Sequence, residues 1–268
     1  KIDKFVTSLG ITPEYLGSSR YINEAHSIGG FTGVSPVQLA NAYSAFGNGG
    51  YFTEAHSINK IVYKNGSEDD VVDFNFEKKR VMKDTTAYMI SSMLKKVTNS
   101  SIKVEGTEIS TKTGTSSYDS NTLKKLKLSN NVIQDAWTVT FTKDYSVAIW
   151  YGYDNLTKKT YNTSSHAWSE RTKIQKAIVT KVMEKNSTFN IPSGIVKSKV
   201  VVGTNPPKLP NASTPSSKVQ THLFIKGTEP TSTVYYSPKV ETKSEEDTKE
   251  SAEESTEEKI EIPDILEP

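Results

Sequence analysis

Thr-Lys-Thr-Gly-Thr-Ser-Ser, at residues 111–117, is a short polar run between two segments with apolar patterns. We predict a strand near residues 108–116 that carries this run. Its lysine, Lys112, and its hydroxyl residues Thr113 and Thr115 then offer a cation and hydrogen-bond donors, which we expect on one face of the strand edge. Such a surface suits a substrate carboxylate. The sequence therefore indicates an anion-binding strand edge that forms one wall of an active site.

Gly114 and its neighbours allow two kinds of site. A glycine lets the backbone of a ligand lie close against a strand, and the N–H of Thr115 can supply half of an oxyanion hole for acyl transfer. The alternative is a phosphate-binding loop, since Gly106 precedes Lys112 as in Gly-x-x-x-x-Gly-Lys-Thr. Thr111 occupies the position where that loop needs its second glycine. We therefore reject the phosphate-binding loop.

Four segments carry apolar residues at helical spacing. The first covers residues 2–9, Ser35 and Pro36 begin the second as N-cap and N1 proline, Asp84 caps the third, and the fourth covers residues 170–185. The expected inward residues are Val37, Ala40, Tyr43 and Phe46 in the second helix, Ile90, Met93, Leu94 and Val97 in the third, and Ile174, Ala177, Ile178 and Val182 in the fourth.

Strands and helices come in runs rather than in strict alternation. Besides the motif strand, the strand-like runs are residues 58–63, 71–74, 137–141 and 147–153, and residues 11–34 and 118–133 look like loops. The first two runs are joined through the hairpin signal at residues 64–66. We expect an α/β chain of the α+β type over residues 1–186, with an antiparallel sheet flanked by helices.

The character of the chain changes after Asn186. Residues 187–240 mix prolines with short β-rich runs, which predicts a small β-rich extension. Residues 241–268 hold twelve acids and three lysines, and we expect this acidic tail to be disordered because it has too few apolar residues to bury.

Composition narrows the class of protein. The formal net charge of +2 separates into −9 for residues 241–268 and +11 for residues 1–240. A folded part this basic suits cell-wall polymers, membrane head groups or nucleic acid, although a basic surface without a specific partner is an equal alternative. We expect no membrane span within this sequence, because no apolar run approaches about eighteen residues. Lys1 is not an initiator methionine, so we expect the chain to be part of a longer protein.

Metal, cofactor and nucleic-acid sites are not expected. The four histidines (His26, His56, His166 and His222) have no His-x-x-x-His or His-Glu-x-x-His spacing, and the chain has no cysteine. No helix carries the basic stripe of a nucleic-acid reader, and the three tryptophans are interpreted as packing residues.

Several stretches together resemble the transpeptidase domain of class A penicillin-binding proteins, the bifunctional peptidoglycan synthases. The run from Lys112 to Ser116 is similar to the third active-site motif of that family. The other matching stretches, in the order of the family, are residues 33–43, 46–50, 135–137, 144–154 and 224–231, the last of which resembles a C-terminal segment of Gram-positive members. The resemblance covers about residues 1–236.

This resemblance implies a serine D,D-transpeptidase that cross-links peptidoglycan stem peptides and that β-lactams acylate. Lys112 and Thr115 would be catalytic, through positive charge and an oxyanion-hole N–H, and Thr113, Gly114, Thr115 and Ser116 would bind substrate. It also implies a location on the outer face of the cytoplasmic membrane. An N-terminal portion of the same protein would carry the membrane anchor and a glycosyltransferase domain, and it would be a partner of this chain.

The family also needs a nucleophilic serine in a Ser-x-x-Lys motif and a later Ser-x-Asn. Residues 57–60 match both patterns, but in an expected strand, where Ser57 and Lys60 point to opposite faces. Residues 92–95 match the first pattern in the middle of a helix, where no free N–H groups remain, and the only later Ser-x-Asn, at residues 129–131, follows the lysine motif. We therefore expect the nucleophile to precede Lys1.

Two other functions stay open at this point. One is a penicillin-binding-like fold that binds or scaffolds cell wall without turnover. The other is a D,D-carboxypeptidase or serine β-lactamase of the same superfamily, which the class A flanks and the long polar tail disfavour.

Overall fold

The computed structural model describes residues 1–12, 14–16, 19–31, 33–64 and 71–234. The helices are α1 (Ile2–Ser8), α2 (Pro36–Gly47), α3 (Asp84–Leu94), α4 (Ser120–Leu126) and α5 (Ser164–Val182). The strands are β1 (Glu14–Leu16), β2 (Ser19–Tyr21), β3 (Tyr51–Phe52), β4 (Lys60–Val62), β5 (Val71–Asp73), β6 (Lys79–Arg80), β7 (Ser110–Ser117), β8 (Val132–Phe141), β9 (Ser146–Gly152), β10 (Asn162–Thr163), β11 (Ile195–Val201) and β12 (Val219–Ile225). Short 3-10 turns cover Glu24–Ile28, Lys95–Val97 and Ser216–Lys218.

The central sheet is antiparallel throughout. β8 is the middle strand, with β7 on one side and β9 on the other. β10 pairs with Val132 and Ile133 at the start of β8, before the residues that pair with β9. Gly114 of β7 lies opposite Trp137 of β8, which in turn lies opposite Trp150 of β9. The predicted motif strand and the antiparallel pair of β8 and β9 are therefore confirmed.

Helices cover both faces of this sheet. Phe141 packs against Tyr43 of α2, whereas the adjacent Thr140 accepts a hydrogen bond from Gln175 of α5. Neighbouring residues of a strand point to opposite faces, so α2 and α5 lie on opposite sides of β8. α3 lies on the side of α2, because Ser110, the cross-strand partner of Phe141, donates to the carbonyl of Ser91. This arrangement confirms the predicted α+β fold, an antiparallel sheet flanked by helices.

α2 begins where the sequence predicts. Ser35 is the N-cap of a capping box with Gln38, and Pro36 is at N1. The predicted inward face is wrong at Val37, which is 65% exposed. The buried positions are instead Ala42 and Ala45, because these small side chains allow close contact with the rest of the core.

α3 differs from its prediction in two respects. Asp84 is the first helical residue rather than the N-cap, which is Lys83, and its carboxylate accepts from the N–H of Thr85. The predicted inward residues Met93 and Val97 are exposed. The buried residues are Ala87, Tyr88 and Ser91. The hydroxyl of Ser91 donates to the carbonyl of Phe46 in α2, and the carbonyl of Ser91 accepts from Ser110 of β7.

α5 starts at Ser164, six residues before its predicted start, and its buried face is shifted. Ile174, Ala177 and Val182 are exposed, contrary to the prediction. The residues that face the sheet are Ala167, Arg171, Gln175 and Val179. The cause is the surface that α5 covers, since the sheet presents threonine hydroxyls and backbone carbonyls to two polar side chains of the helix.

Two segments interpreted as loops contain short regular elements. Residues 118–133 include α4, because Asp119 caps it by accepting from the N–H groups of Asn121 and Thr122, and Leu123 anchors it in the core. Residues 11–34 include the β1–β2 pair and a 3-10 turn. Both loop predictions are therefore wrong in part.

Phe141 connects the layers of the fold. It is fully buried and contacts Tyr43, Phe46 and Phe189, with ring centroids 6.0, 6.2 and 5.9 Å away. Tyr88 of α3 belongs to the same cluster. Helices, sheet and the segment that leads to the C-terminal hairpin therefore share one aromatic core.

Among the described residues, four two-stranded antiparallel pairs lie outside the central sheet: β1–β2, β3–β6, β4–β5 and β11–β12. β4 pairs with β5 as predicted, although the turn at residues 65–66 lies outside the described residues. β11 pairs with β12 over the full length of both strands, and Ile195 and Leu223 pack against the aromatic core. The predicted disordered tail at residues 241–268 also lies outside the described residues.

Candidate functional site

β7 carries the motif on an edge of the central sheet. Among the described residues β7 pairs with β8 only, so its other edge is open. Ser110 and Thr111, at the start of the strand, are buried, and Lys112 is exposed. The motif therefore begins where the strand leaves the core.

The motif side chains alternate between the two faces of β7. Lys112, Gly114 and Ser116 point to the face of α2 and α3, and Thr113 and Thr115 point to the face of α5. The expectation that the cation and both hydroxyls share one face is therefore wrong, because a strand has a period of two residues. The lysine nevertheless folds back along the strand, where its Nζ donates to the carbonyl of Thr113 at 2.6 Å.

Ser116 is held by a carboxylate that the sequence did not single out as a site residue. Its Oγ donates to Asp135 Oδ2 at 2.5 Å, and Trp150 Nε1 donates to Asp135 Oδ1 at 2.8 Å. Asp135 also contributes, after burial, to a raised pKa of the Tyr118 hydroxyl. The signal for this residue was its position in the run at residues 135–137, which carried the family resemblance without indicating a role.

A polar layer supports β7 from the side of α5. Gln175 Nε2 donates to the Oγ1 of Thr140 at 2.6 Å and to the Oγ1 of Thr111 at 3.3 Å. Thr98 donates to Thr111 as well, at 3.1 Å between the two hydroxyl oxygens. Buried polar groups with partners specify one arrangement of neighbouring elements. The layer therefore fixes the start of the motif strand relative to α5.

Arg171 reaches the motif itself from the same side. It is 4% exposed, and its Nη1 donates to the carbonyl of Trp137 at 2.9 Å and to that of Gly114 at 3.4 Å. Burial lowers the pKa of this guanidinium, although an arginine remains charged at neutral pH. No periodicity in the sequence indicates this residue, since it occupies a helix position that normally carries an apolar side chain.

The contacts of Arg171 fix the orientation of one peptide group. One nitrogen reaches the oxygens of both Gly114 and Trp137 only if these paired carbonyls point towards each other across the ladder. In a trans peptide the C=O and the following N–H point in opposite directions. The N–H of Thr115 therefore points away from β8, towards the open edge of the sheet.

The serines in short motifs are not arranged as nucleophiles. Ser92 lies inside α3, and Lys95 is paired with Glu108 at 2.5 Å. Ser57 is exposed in the segment before β4, and the hydroxyl of Ser129 is bonded to Asn131. None of the three lies at the start of a helix, where free N–H groups are available.

Two clefts in the described part of the chain do not include the motif. One, of about 480 Å³, is lined by residues of α1 and α2 together with Phe52 and Lys79. The other, of about 550 Å³, is lined by residues between Lys95 and Ile109. Neither is lined by residues 112–116.

The part of the chain that the structure describes contains no group of three or more histidine, cysteine, aspartate or glutamate side chains that could hold a metal ion. None of its helices has the length and apolar character that a membrane crossing requires.

Comparison with known families agrees with the resemblance inferred from the motif. Residues 6–193 match the penicillin binding protein transpeptidase domain, and residues 191–237 match the C-terminal domain of penicillin-binding protein 1A. The chain therefore belongs to the penicillin-binding protein transpeptidase family. The match of residues 191–237 agrees with the resemblance to class A members.

The matches to individual relatives span most of this chain but only a small part of each relative. It is 36% identical over 231 residues to penicillin-binding protein 1A/1B of Bacillus subtilis, a match that spans 84% of this chain and 25% of the relative. Against penicillin-binding protein 1A of Streptococcus pneumoniae, identity is 33% over 181 residues, which is 65% of this chain and 24% of the relative. The chain thus spans about a quarter of each relative.

Among solved structures, the chain aligns with penicillin-binding protein A from M. tuberculosis at a TM-score of 0.45. Sequence identity is 15%, and the alignment covers 66% of this chain and 41% of that chain. The family assignment rests on the sequence matches and not on this alignment.

Proposed function

We propose that residues 112–116 form one wall of the acyl-transfer site of a serine D,D-transpeptidase that cross-links peptidoglycan stem peptides. The observation that carries the proposal is the orientation of Thr115. In a chain of the transpeptidase family, the N–H of this motif residue is directed to the open edge of β7, where a substrate can lie as an added strand.

The reaction has two steps. A serine oxygen attacks the carbonyl carbon between two D-alanines of one stem peptide, the C–N bond breaks, and the serine proton ends on the departing D-alanine amine. An amine of a second stem peptide then attacks the ester, displaces the serine oxygen and returns a proton to it. A β-lactam undergoes the first step only: its ring amide opens, the ring nitrogen takes the proton, and the ester persists.

Each motif residue has a role in this proposal. Lys112 supplies positive charge to the proton network of the serine. The hydroxyls of Thr113 and Thr115 hold the substrate carboxylate, and the N–H of Thr115 stabilises the developing oxyanion. Gly114 keeps the strand accessible to the ligand backbone, and Ser116, braced by Asp135, completes the wall.

We propose that the nucleophilic serine belongs to a part of the protein outside these 268 residues. The poor fit of Ser57, Ser92 and Ser129 to that role supports this proposal, as does the length of the relatives, of which the chain spans a quarter. We also propose that this N-terminal portion is the partner of residues 1–186 and carries the glycosyltransferase domain and the anchor. The protein would then work on the cell-wall side of the cytoplasmic membrane, with residues 187–240 and 241–268 as extension and tail.

Acylation by a fluorescent penicillin tests the roles of Lys112 and Thr115 in the full-length protein. Lys112→Ala removes the cation, and we expect acylation to slow by orders of magnitude. Thr115→Pro removes the N–H at an open strand edge, where no ladder bond is lost, and we expect a loss of about 10²–10³-fold, as for one oxyanion-hole donor.

Two matched variants separate chemistry from folding. Lys124→Ala removes an exposed lysine of α4 and should be acylated at the rate of the unmodified protein. Thr115→Ala keeps the N–H and loses only the hydroxyl, so it should retain more activity than Thr115→Pro. Undiminished acylation of both Lys112→Ala and Thr115→Pro would remove the motif from the mechanism. An unmodified protein that gains no adduct would point to a non-catalytic cell-wall scaffold.

A further inference from the structure

Arg171 is an unusual residue for the buried face of α5. The other residues that face the sheet are Ala167, Gln175 and Val179, and Arg171 is as buried as they are. Among the ion pairs of the described residues, none joins Arg171 to a carboxylate. The guanidinium therefore keeps its full charge in the interior, and the partners that it meets there are backbone carbonyls.

One of these carbonyls belongs to the peptide group that supplies the proposed oxyanion donor. The C=O of Gly114 and the N–H of Thr115 are the two ends of a single amide. A cation that donates to the oxygen draws electron density from the amide and makes its N–H a stronger donor. The same contact restrains the plane of the peptide, so that the N–H stays directed at the open edge.

The hydrogen bond to the Trp137 carbonyl determines where the guanidinium lies relative to the Gly114 carbonyl. The bond from Nη1 to Trp137 O, at 2.9 Å, is the shorter one, and it fixes the guanidinium directly behind the ladder position that Gly114 shares with Trp137. From there the charge lies 3.4 Å from Gly114 O. In the low dielectric of a protein interior, a charge at this distance acts far more strongly than it does in water.

We propose that Arg171 is a positioning residue for acyl transfer: from behind the sheet it polarises and orients the Gly114–Thr115 peptide, and so strengthens the oxyanion-hole N–H of Thr115. This inference rests on the proposed function. Arg171 does not touch the substrate, and its effect passes through one peptide group.

Infrared spectroscopy of the acyl-enzyme measures this effect directly. The full-length protein is acylated with a penicillin that carries ¹³C at the lactam carbonyl, which becomes the ester carbonyl of the adduct. A strong N–H donor lowers the stretching frequency of that carbonyl. In Arg171→Met we expect the band at higher wavenumber than in the unmodified protein. We also expect acylation to slow by about 10–100-fold, less than or comparable to the complete loss of an oxyanion-hole donor.

Gln175→Met is the matched control. Gln175 lies one turn further along the same buried face and donates to Thr140 and Thr111, not to the Gly114 carbonyl. Loss of this donor perturbs the packing of α5 on the sheet but should leave the ester band in place. Arg171→Lys serves as a second variant if Arg171→Met does not fold. It keeps the charge with a single-point donor, and its band should lie between those of the unmodified protein and Arg171→Met.

The outcomes separate this inference from the function on which it rests. An unmodified protein that is not acylated contradicts the proposed function. A protein that is acylated normally, with the same ester band in the unmodified protein and in whichever of Arg171→Met and Arg171→Lys folds, overturns the role of Arg171 and leaves the function intact. Equal band shifts in the Arg171 variants and Gln175→Met reduce the role of Arg171 to packing.

Discussion

The substitution Gly114→Ala tests whether the glycine at this position is required by the ligand or by the fold. Gly114 has no positive φ angle, and a Cβ added there would meet Trp137 Cβ at 3.4 Å, an ordinary van der Waals contact. Nothing in the protein's own packing therefore requires glycine at this position. If the glycine is present for a ligand, the substitution should damage acylation and spare stability.

The expected effects of Gly114→Ala on stability and on the acylation rate differ in sign and size. An interior strand glycine costs about 0.5–1 kcal/mol relative to alanine, so Gly114→Ala should be neutral or slightly stabilising. A change of 1 kcal/mol corresponds to a Tm shift of about 2–4 °C in a domain of this size. A methyl group that displaces the reacting carbonyl by about 1 Å should slow acylation by about 10²-fold.

Thermal unfolding and penicillin acylation, measured on the same preparation, provide the test. Gly50→Ala is the control, since Gly50 has a φ of +90° and its added Cβ would lie 2.3 Å from Met82 O. It should lower Tm through strain at a residue remote in sequence from the motif. Unchanged acylation of Gly114→Ala, or a fall in Tm like that of Gly50→Ala, would refute the assignment of Gly114 to the ligand.

Two further predictions concern the scaffold. Phe141→Ala should cost about 3–5 kcal/mol of unfolding free energy because it empties the shared aromatic core; denaturant titration measures this, with the exposed Val37→Ala expected within about 0.5 kcal/mol of the unmodified protein. The hydrogen bond from Ser187, with help from Lys143, lowers the pKa of Asp144. The stability that this carboxylate adds is therefore present above the ordinary aspartate pKa of about 4 and is lost as pH falls through the lower folded-state pKa. Ser187→Ala should raise the pKa of Asp144 in an NMR titration, and an unchanged pKa would exclude the hydrogen bond as its cause.

The sequence predicted best the elements with local signals. Ser35 and Pro36 located the start of α2 because a capping box and an N1 proline depend on a few neighbouring residues. The strand predictions located β7 and β9 to within two residues, but only the second half of β8, which begins five residues before its predicted start. These elements are enough to place the motif on a sheet strand and to predict the α+β class.

Helix faces were predicted less well, because they depend on what lies opposite. On α5 the apolar stripe at Ile174 and Val182 predicted the wrong face, since the sheet offers hydroxyls and carbonyls that Gln175 and Arg171 satisfy. Short elements such as α4 were missed because a single cap and one buried leucine leave no periodic pattern.

The candidate site was predicted as a sequence motif but not as a geometry. Residues 112–116 were identified from their own sequence and their neighbours. Asp135 and Arg171 were not, because each acts across a sequence separation that no local pattern spans. The placement of Lys112 and the two threonines on opposite faces follows from the two-residue period of a strand, whereas the open edge of β7 is visible only in the structure.

The position of a penicillin adduct shows which part of the protein supplies the nucleophile. The full-length protein is exposed to penicillin, and intact mass and peptide mapping identify the modified residue. We expect one adduct, on a serine outside these 268 residues, whose formation slows by about 10²–10³-fold in Thr115→Pro. An adduct on Ser57, Ser92 or any other serine of this chain, or equal labelling of Thr115→Pro, would contradict this expectation.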